Sequence, residues 1–116
     1  MITKGIRGAI TVEKNSVEEL REATLELLKE MISRNSITPE KISNVIFTTT
    51  SDLNAAFPAK FARTDLEWEN VAMMCFHELD VPNSLPMCLR VLIVINCEPD
   101  FVPEFVYLKG AKTLRN

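Results

Sequence analysis

Between residues 16 and 34 apolar side chains recur at helical spacing. Val17, Leu20, Leu27, Leu28 and Met31 share one stripe, and Glu18, Arg21, Glu22, Glu26, Lys29 and Glu30 fill the wet side. Ser16-Val17-Glu18-Glu19 opens the stripe as a capping box: the serine oxygen takes the N3 amide while Glu19 reaches back. Asn35 is a suitable stop. Elsewhere the period falls to two. Ile6, Gly8, Ile10 and Val12 alternate with Arg7, Ala9 and Thr11, a strand in which Gly8 marks a close backbone approach or a bulge. Residues 45–50 are β-branched and half polar, as a strand should be, and residues 71–75 and 105–109 are further strand candidates. Thr38-Pro39-Glu40 and residues 58–63 place a proline in the first turn of two short helices. Residues 78–84 read as a loop preceded by a turn of helix, and residues 110–116 carry no strong pattern.

The order β, long α, β, short α, β, β, β predicts one domain over residues 1–116, of the α+β or mixed α/β class, with the long helix on one sheet face. No second long amphipathic helix is available for the other face, so subunit association is expected.

One position breaks the pattern. Leu89-Arg90-Val91-Leu92-Ile93-Val94-Ile95 is the most apolar run of the chain and reads as a strand buried on both faces, yet it contains an arginine. A guanidinium cannot be neutralised by deprotonation. It must meet an anion or reach a cavity, because an unpaired buried charge is costly. Other cations share the anomaly. Arg7 lies between Ile6 and Gly8, and Lys60 and Arg63 lie three apart on one side of the Pro58 helix. Glu78 follows His77 at the end of a strand. Each position also has a plain structural reading. Arg90 pairs with Glu78 or Asp80 at a strand end, Arg7 is an edge-strand charge, Lys60 and Arg63 are a solvated helix face, and Glu78 and His77 are turn and structural residues.

Composition narrows the chemistry. With 116 residues, 47% hydrophobic and 25% charged, the chain suits one soluble domain, and a net charge of -3 gives no reason to expect nucleic acid. No apolar run reaches the ~18 residues of a membrane span, and residues 1–5 lack a signal-peptide hydrophobic region, so a cytoplasmic protein is the simplest reading. Cys75, Cys88 and Cys97 form no Cys-x-x-Cys pair and read as small buried hydrophobes. One histidine leaves a metal site short of its usual ligands. A nucleophile elbow, a Walker loop and a dinucleotide fingerprint are all absent. Acid–base catalysis has few players here, whereas catalysis by fixed cations needs none of these.

Five colinear segments then carry a family likeness. They are Ile6-Arg7-Gly8-Ala9-Ile10-Thr11-Val12-Glu13, Asp52-Leu53-Asn54-Ala55-Ala56-Phe57-Pro58-Ala59-Lys60 with Arg63, Cys75-Phe76-His77-Glu78-Leu79-Asp80-Val81, Leu89-Arg90-Val91, and Val106-Tyr107-Leu108. Together they resemble the monofunctional, single-domain bacterial chorismate mutases of the AroH class over nearly the whole chain. The resemblance implies a homotrimeric pseudo-α/β-barrel with active sites in clefts between subunits. It implies rearrangement of chorismate to prephenate, in phenylalanine and tyrosine biosynthesis, without metal or cofactor. By the same likeness Arg90 faces the ether oxygen and a carboxylate, Arg7 binds a carboxylate, Glu78 accepts from the ring hydroxyl, and Tyr107 reaches a carboxylate. Met74, Cys75, Phe76 and His77 fall in the segment beside the ring. Phe57, Lys60 and Arg63 match residues that the adjacent subunit supplies.

Met74 stands where the family has a small polar residue, which removes one expected hydrogen bond to substrate. Relatives often continue past this chain's end with a tail over the cleft, which leaves Leu114 and Arg115 as candidates for a short lid. Two other functions remain open at this point: a non-catalytic trimeric binder of small carboxylates, and an enamine or imine deaminase of similar barrel fold.

Overall fold

The computed structural model describes residues 1–115, with the side chain of Arg115 left out. Its elements are β1 (Ile2–Thr11), α1 (Val17–Asn35), a 3-10 turn (Pro39–Lys41), β2 (Ile42–Thr49), α2 (Pro58–Asp65), β3 (Ala72–His77), β4 (Cys88–Cys97), β5 (Val106–Leu108) and a 3-10 helix (Lys109–Arg115). The strands form one mixed sheet in the order β3-β2-β4-β1-β5. β4 is central and runs antiparallel to β1 and β2, while the outer pairs β2–β3 and β1–β5 are parallel. The expected class and element order hold. In this chain the sheet is open, with β3 and β5 as its edges.

The register assigns side chains to faces. Ile6, Ile10, Val45, Phe47, Leu89, Val91, Ile93, Ile95 and Val106 point to one side and are buried against Leu20, Leu27, Leu28 and Met31 of α1. The Ser16 hydroxyl accepts the Glu19 N–H, and left-handed Ser36 ends the helix after Asn35. Gly8 is the close approach, not a bulge: a Cβ there would lie 2.4 Å from Met31 Sδ and 3.2 Å from Leu27 Cδ1. The glycine therefore lets α1 settle directly on β1.

Three expectations need correction, and the tail gains a definition that its letters lack. Val17, placed in the apolar stripe, is exposed at the first helical position, where α1 has not yet reached the sheet. β4 is not buried on both faces. Its residues alternate, and Arg90, Leu92 and Val94 lie half-buried on the side away from α1. No turn of helix precedes Glu78, because β3 runs to His77 and the Glu78 N–H still bonds Thr49 O at 2.9 Å. The tail is ordered as a 3-10 helix through residue 115, tied down by the Gly110 N–H bonding Thr11 Oγ1 at 2.9 Å. Cys88 and Cys97 are buried and Cys75 half-buried, and all three are free thiols.

The face away from α1 carries Arg7, Ala9, Ile46, Thr48, Met74, Phe76, Arg90, Leu92 and Tyr107. Ala9 and Cys88 are covered there by Leu85, Tyr107, Ala111 and Leu114. Met74 and Phe76 remain exposed. Among the described residues no helix is long and apolar enough to cross a membrane.

Candidate active site

Alternation and register bring three of the anomalous charges together. Ala9 pairs with Arg90 across β1–β4, and Thr48 pairs with Arg90 across β2–β4. Arg7 is two residues from Ala9 on the same face. Tyr107 pairs with Ala9 from β5. Glu78 follows β3 directly and folds back over Thr48. The result is an open cleft of about 330 Å³ lined by Arg7, Thr48, Glu78, Arg90, Tyr107 and Leu114, with Ile46 and Leu92 as its apolar wall.

Arg90 and Glu78 form the centre of this cleft. Arg90 Nε lies 3.3 Å from Glu78 Oε2, and the side chains are 28% and 26% exposed. The Nε–H is not aimed at that oxygen and has no hydrogen-bond partner among the described residues. The pair is thus a charge contact, with donor capacity left over. This is one half of the expected structural salt bridge, with Glu78 rather than Asp80 as the acid. Glu78 has other partners: Thr48 Oγ1 donates to Oε2 at 2.8 Å, and the Leu79 N–H donates to Oε1 at 3.1 Å. Burial pushes the Glu78 carboxyl up. The two hydrogen bonds and the charges of Arg90 and Arg7 outweigh it and hold the group below its ordinary value. Glu78 is therefore an anion at neutral pH. Cys88, buried next to Arg90, is pushed up by desolvation against the pull of the guanidinium, and stays a thiol.

The remaining expected residues lie elsewhere. Phe57, Lys60, Arg63, Met74 and Cys75 line a separate concavity of about 280 Å³ between α2 and the β3 edge. Phe76 and His77 join Phe57, Lys60 and Cys75 around a broader hollow of about 810 Å³ on the same flank. Cys75 pairs with Phe47, so it points to the α-helical side of the sheet, opposite to Arg90. Burial raises its thiol, and a hydrogen bond from the Ala59 backbone pulls only weakly the other way. The segment before α2 is anchored by Asn15, whose Oδ1 accepts the N–H groups of Asn54 and Ala55, both at 3.0 Å. α2 is anchored to α1 by Arg21, whose Nε donates to Asp65 Oδ2 at 2.8 Å.

The chain thus brings Arg7, Glu78, Arg90 and Tyr107 together and leaves Phe57, Lys60, Arg63 and Cys75 apart from them. Sequence reasoning missed Thr48. Its signal was present, a threonine two residues inside a strand end on the face that Arg90 shares, but the pairing register alone makes it visible. Of the expected lid, Leu114 lines the cleft, and the Arg115 side chain lies outside the described residues. Among the described residues no group of three or more His, Cys, Asp or Glu is placed to hold a metal ion.

The cleft is cationic, has one charge-balanced carboxylate, and holds no thiolate and no carboxyl raised toward neutrality. Such a site can bind a carboxylated molecule and stabilise growing negative charge. The comparisons agree with that chemistry. Residues 3–116 match the family model described as chorismate mutase type I. The chain is 37% identical to chorismate mutase AroH of Bacillus subtilis over 116 residues, 99% of this chain and 91% of that protein. It is 43% identical to chorismate mutase AroH of Thermus thermophilus, covering 98% of this chain and 94% of that one. The solved chorismate mutase from Clostridium thermocellum superposes with a TM-score of 0.89 at 44% identity, over 95% of this chain and 98% of that one. With a full-length family match and relatives well above 30% identity, this chain belongs to the chorismate mutase type I family.

Proposed function

We propose that this protein is a chorismate mutase, converting chorismate to prephenate in the cytoplasm by an intramolecular [3,3] rearrangement. The carrying observation is the Arg7–Glu78–Arg90–Tyr107 cleft in a chain of this family. In the rearrangement the C–O bond breaks ahead of C–C bond formation, so negative charge grows on the ether oxygen. Arg90 lines the cleft and keeps donor capacity beyond its contact with Glu78. A guanidinium held at that oxygen binds the transition state more tightly than the ground state. Arg7 and Tyr107 hold the substrate carboxylates. Glu78, kept ionised by its neighbours, accepts from the ring hydroxyl. Together they select the folded conformer in which the two carbon termini approach. No proton changes hands and no covalent intermediate forms, so metal and cofactor are not required.

The assembly is a homotrimer in which a neighbouring subunit completes each cleft. Two observations support this reading. The face bearing Arg90 exposes Met74 and Phe76 and leaves Leu92 and Val94 only half-buried, which one long helix cannot remedy. The Phe57, Lys60 and Arg63 flank lies on the other side of the same sheet, out of reach of its own Arg90 cleft but free to meet that of another copy. Burying the apolar face between copies also dries the guanidinium and strengthens its field.

The test is chorismate turnover by the intact oligomer, followed by loss of chorismate absorbance and appearance of prephenate with no metal added. Absence of turnover by folded oligomer overturns the proposal. Equal affinity for prephenate and a bicyclic dicarboxylate transition-state analogue, without turnover, identifies a carboxylate binder. Ammonia release from an enamine substrate identifies a deaminase.

A further inference from the structure

Residues 48–52 contact both members of the Glu78–Arg90 pair's supporting backbone. Thr48 Oγ1 donates to Glu78 Oε2, and Thr49 O accepts the Glu78 N–H at 2.9 Å. Thr50 N–H donates to Cys88 O at 3.1 Å, and Thr50 Oγ1 accepts the Cys88 N–H at 3.0 Å. Both Asp52 carboxylate oxygens lie 3.1 Å from the Met87 nitrogen, and Thr50 Oγ1 donates to Asp52 Oδ1. The same short segment therefore fixes the acid at one end and the entry into β4 at the other.

That entry is strained. Met87 has φ 50, a left-handed conformation that a side chain of this kind rarely adopts. It is held from two directions: its N–H by Asp52 and its C=O by the Val12 N–H at 2.8 Å. Arg90 follows three residues later on the rigid strand. Its guanidinium has no hydrogen-bond partner at Nε and interacts with the Cys88 side chain at the strand entry itself, so its aim depends on the backbone there.

We infer that Asp52 is a positioning residue for Arg90, acting through the Met87 and Cys88 backbone. This rests on the chorismate mutase reading given above. The carboxylate accepts the Met87 N–H with both oxygens and orients the Thr50 hydroxyl so that its lone pair meets the Cys88 N–H. Removal of the carboxylate frees Met87 to relax, which turns the first residues of β4 and shifts Arg90 relative to Glu78. A small displacement of this group matters most where charge has developed, so the loss falls on the transition state rather than on substrate capture.

The experiment compares Asp52→Ala, Asp52→Asn and wild type with chorismate, alongside thermal unfolding and oligomer size. Asp52→Ala is expected to lower kcat about tenfold with KM changed less than about twofold, the signature of a misplaced transition-state group. Asp52→Asn keeps an acceptor for the Met87 N–H and is expected to recover most of that loss. Affinity for a bicyclic transition-state analogue should fall in Asp52→Ala by a larger factor than affinity for prephenate. The inference is overturned if folded Asp52→Ala keeps wild-type kcat, or if analogue and prephenate affinities fall equally. If Asp52→Ala does not fold, Asp52→Asn decides with the same two ligands: near wild-type kcat and analogue preference uphold the acceptor role, and a loss as deep as that of Arg90→Ala refutes it. Inactive wild type is the separate result that removes the underlying reading.

Discussion

The two cation-bearing regions of the subunit are built in opposite ways. Arg90 stands on the central strand, only 28% exposed, with Glu78 beside it and Thr48 holding that acid in place, and Arg7 stands, exposed, on the neighbouring inner strand. Lys60 and Arg63 stand on an eight-residue helix at the sheet's edge, both exposed, and neither has an ion-pair partner among the described residues. Phe57, beside them, is 73% exposed. In the first region Arg90 has its backbone and counter-charge already in place, beside a wall of Ile46 and Leu92 that is half-buried. The second has only its scaffold in place, through Asn15 and Arg21, while Phe57, Lys60 and Arg63 reach into solvent. Preorganisation is what makes a charge catalytic, since no reorganisation is then needed as the transition state forms. On the proposed function, the strand-borne half carries the chemical step and the helix-borne half carries capture and enclosure.

Truncation should separate the halves most strongly. Arg90→Ala is expected to reduce kcat/KM by at least ~10³, mainly in kcat, because a fixed charge at the developing anion is lost. Lys60→Ala should cost roughly tenfold and mainly in KM, because an exposed cation contributes chiefly to steering and ground-state binding. Steady-state kinetics on both variants, with circular dichroism to confirm folding, checks the pair. A kcat loss in Lys60→Ala equal to that in Arg90→Ala would erase the distinction.

Mixing the lesions sharpens the comparison further. Arg90→Ala and the double variant Lys60→Ala/Arg63→Ala damage opposite halves. If each cleft takes one half from each of two neighbours, randomly reassembled hybrids carry about a quarter of their clefts intact. Unfolding and refolding the two impaired proteins together should therefore raise activity at subsaturating chorismate toward about a quarter of the wild-type value. The readout is turnover after co-refolding against turnover after simple mixing of native oligomers. No recovery, with hybrid oligomers demonstrated, would mean that both halves serve a cleft within one subunit or that the helix-borne half is dispensable.

Legibility from the chain followed how local each cause is. The Ser16 side-chain cap, the stripe on α1 from Leu20 on, the proline-led α2 and the alternation around Arg7 depend on neighbours within a few residues, and each is where the letters place it, although the Ser16 N–H bonds Lys14 O and not Glu19. The charge anomaly at Arg90 was legible because a strand of β-branched residues leaves a guanidinium few explanations. What stayed hidden depends on distant pairing. Leu92 and Val94 make β4 look buried on both sides, since an apolar face awaiting a partner spells the same letters as one already covered. The tail's 3-10 helix depends on Gly110 meeting Thr11, and the role of Thr48 on a register no single strand reveals. The separation of Phe57, Lys60 and Arg63 from the Arg90 cleft was legible only through resemblance. Nothing in the spacing of residues 57–63 says that they lie across the sheet from residue 90.

The smallest expected effect is that of pH, and it bears on the strand-borne half alone. Arginine stays charged across the accessible range, so Glu78 is the group of that cleft whose titration can alter the field. Its carboxyl sits below the ordinary glutamate value of 4.5, because its hydrogen bonds and the two guanidinium groups outweigh desolvation. A depressed value means that the charged form, and the stability it lends, is fully present above the ordinary value and is lost only as pH falls through the depressed one. Activity should therefore be level from about pH 6 to 9, where neither arginine nor glutamate changes charge, and decline only in acid, together with weakened thermal stability. Thr48→Val should move that acid limb upward, because the carboxylate loses one of the donors that favour its charged form. A kcat/KM profile for both proteins checks it. A bell centred near pH 7 would instead identify a working acid or base, with His77 the first to mutate. That would also shift the chemistry to the helix-borne flank, where His77 lies beside Lys60 and Phe57.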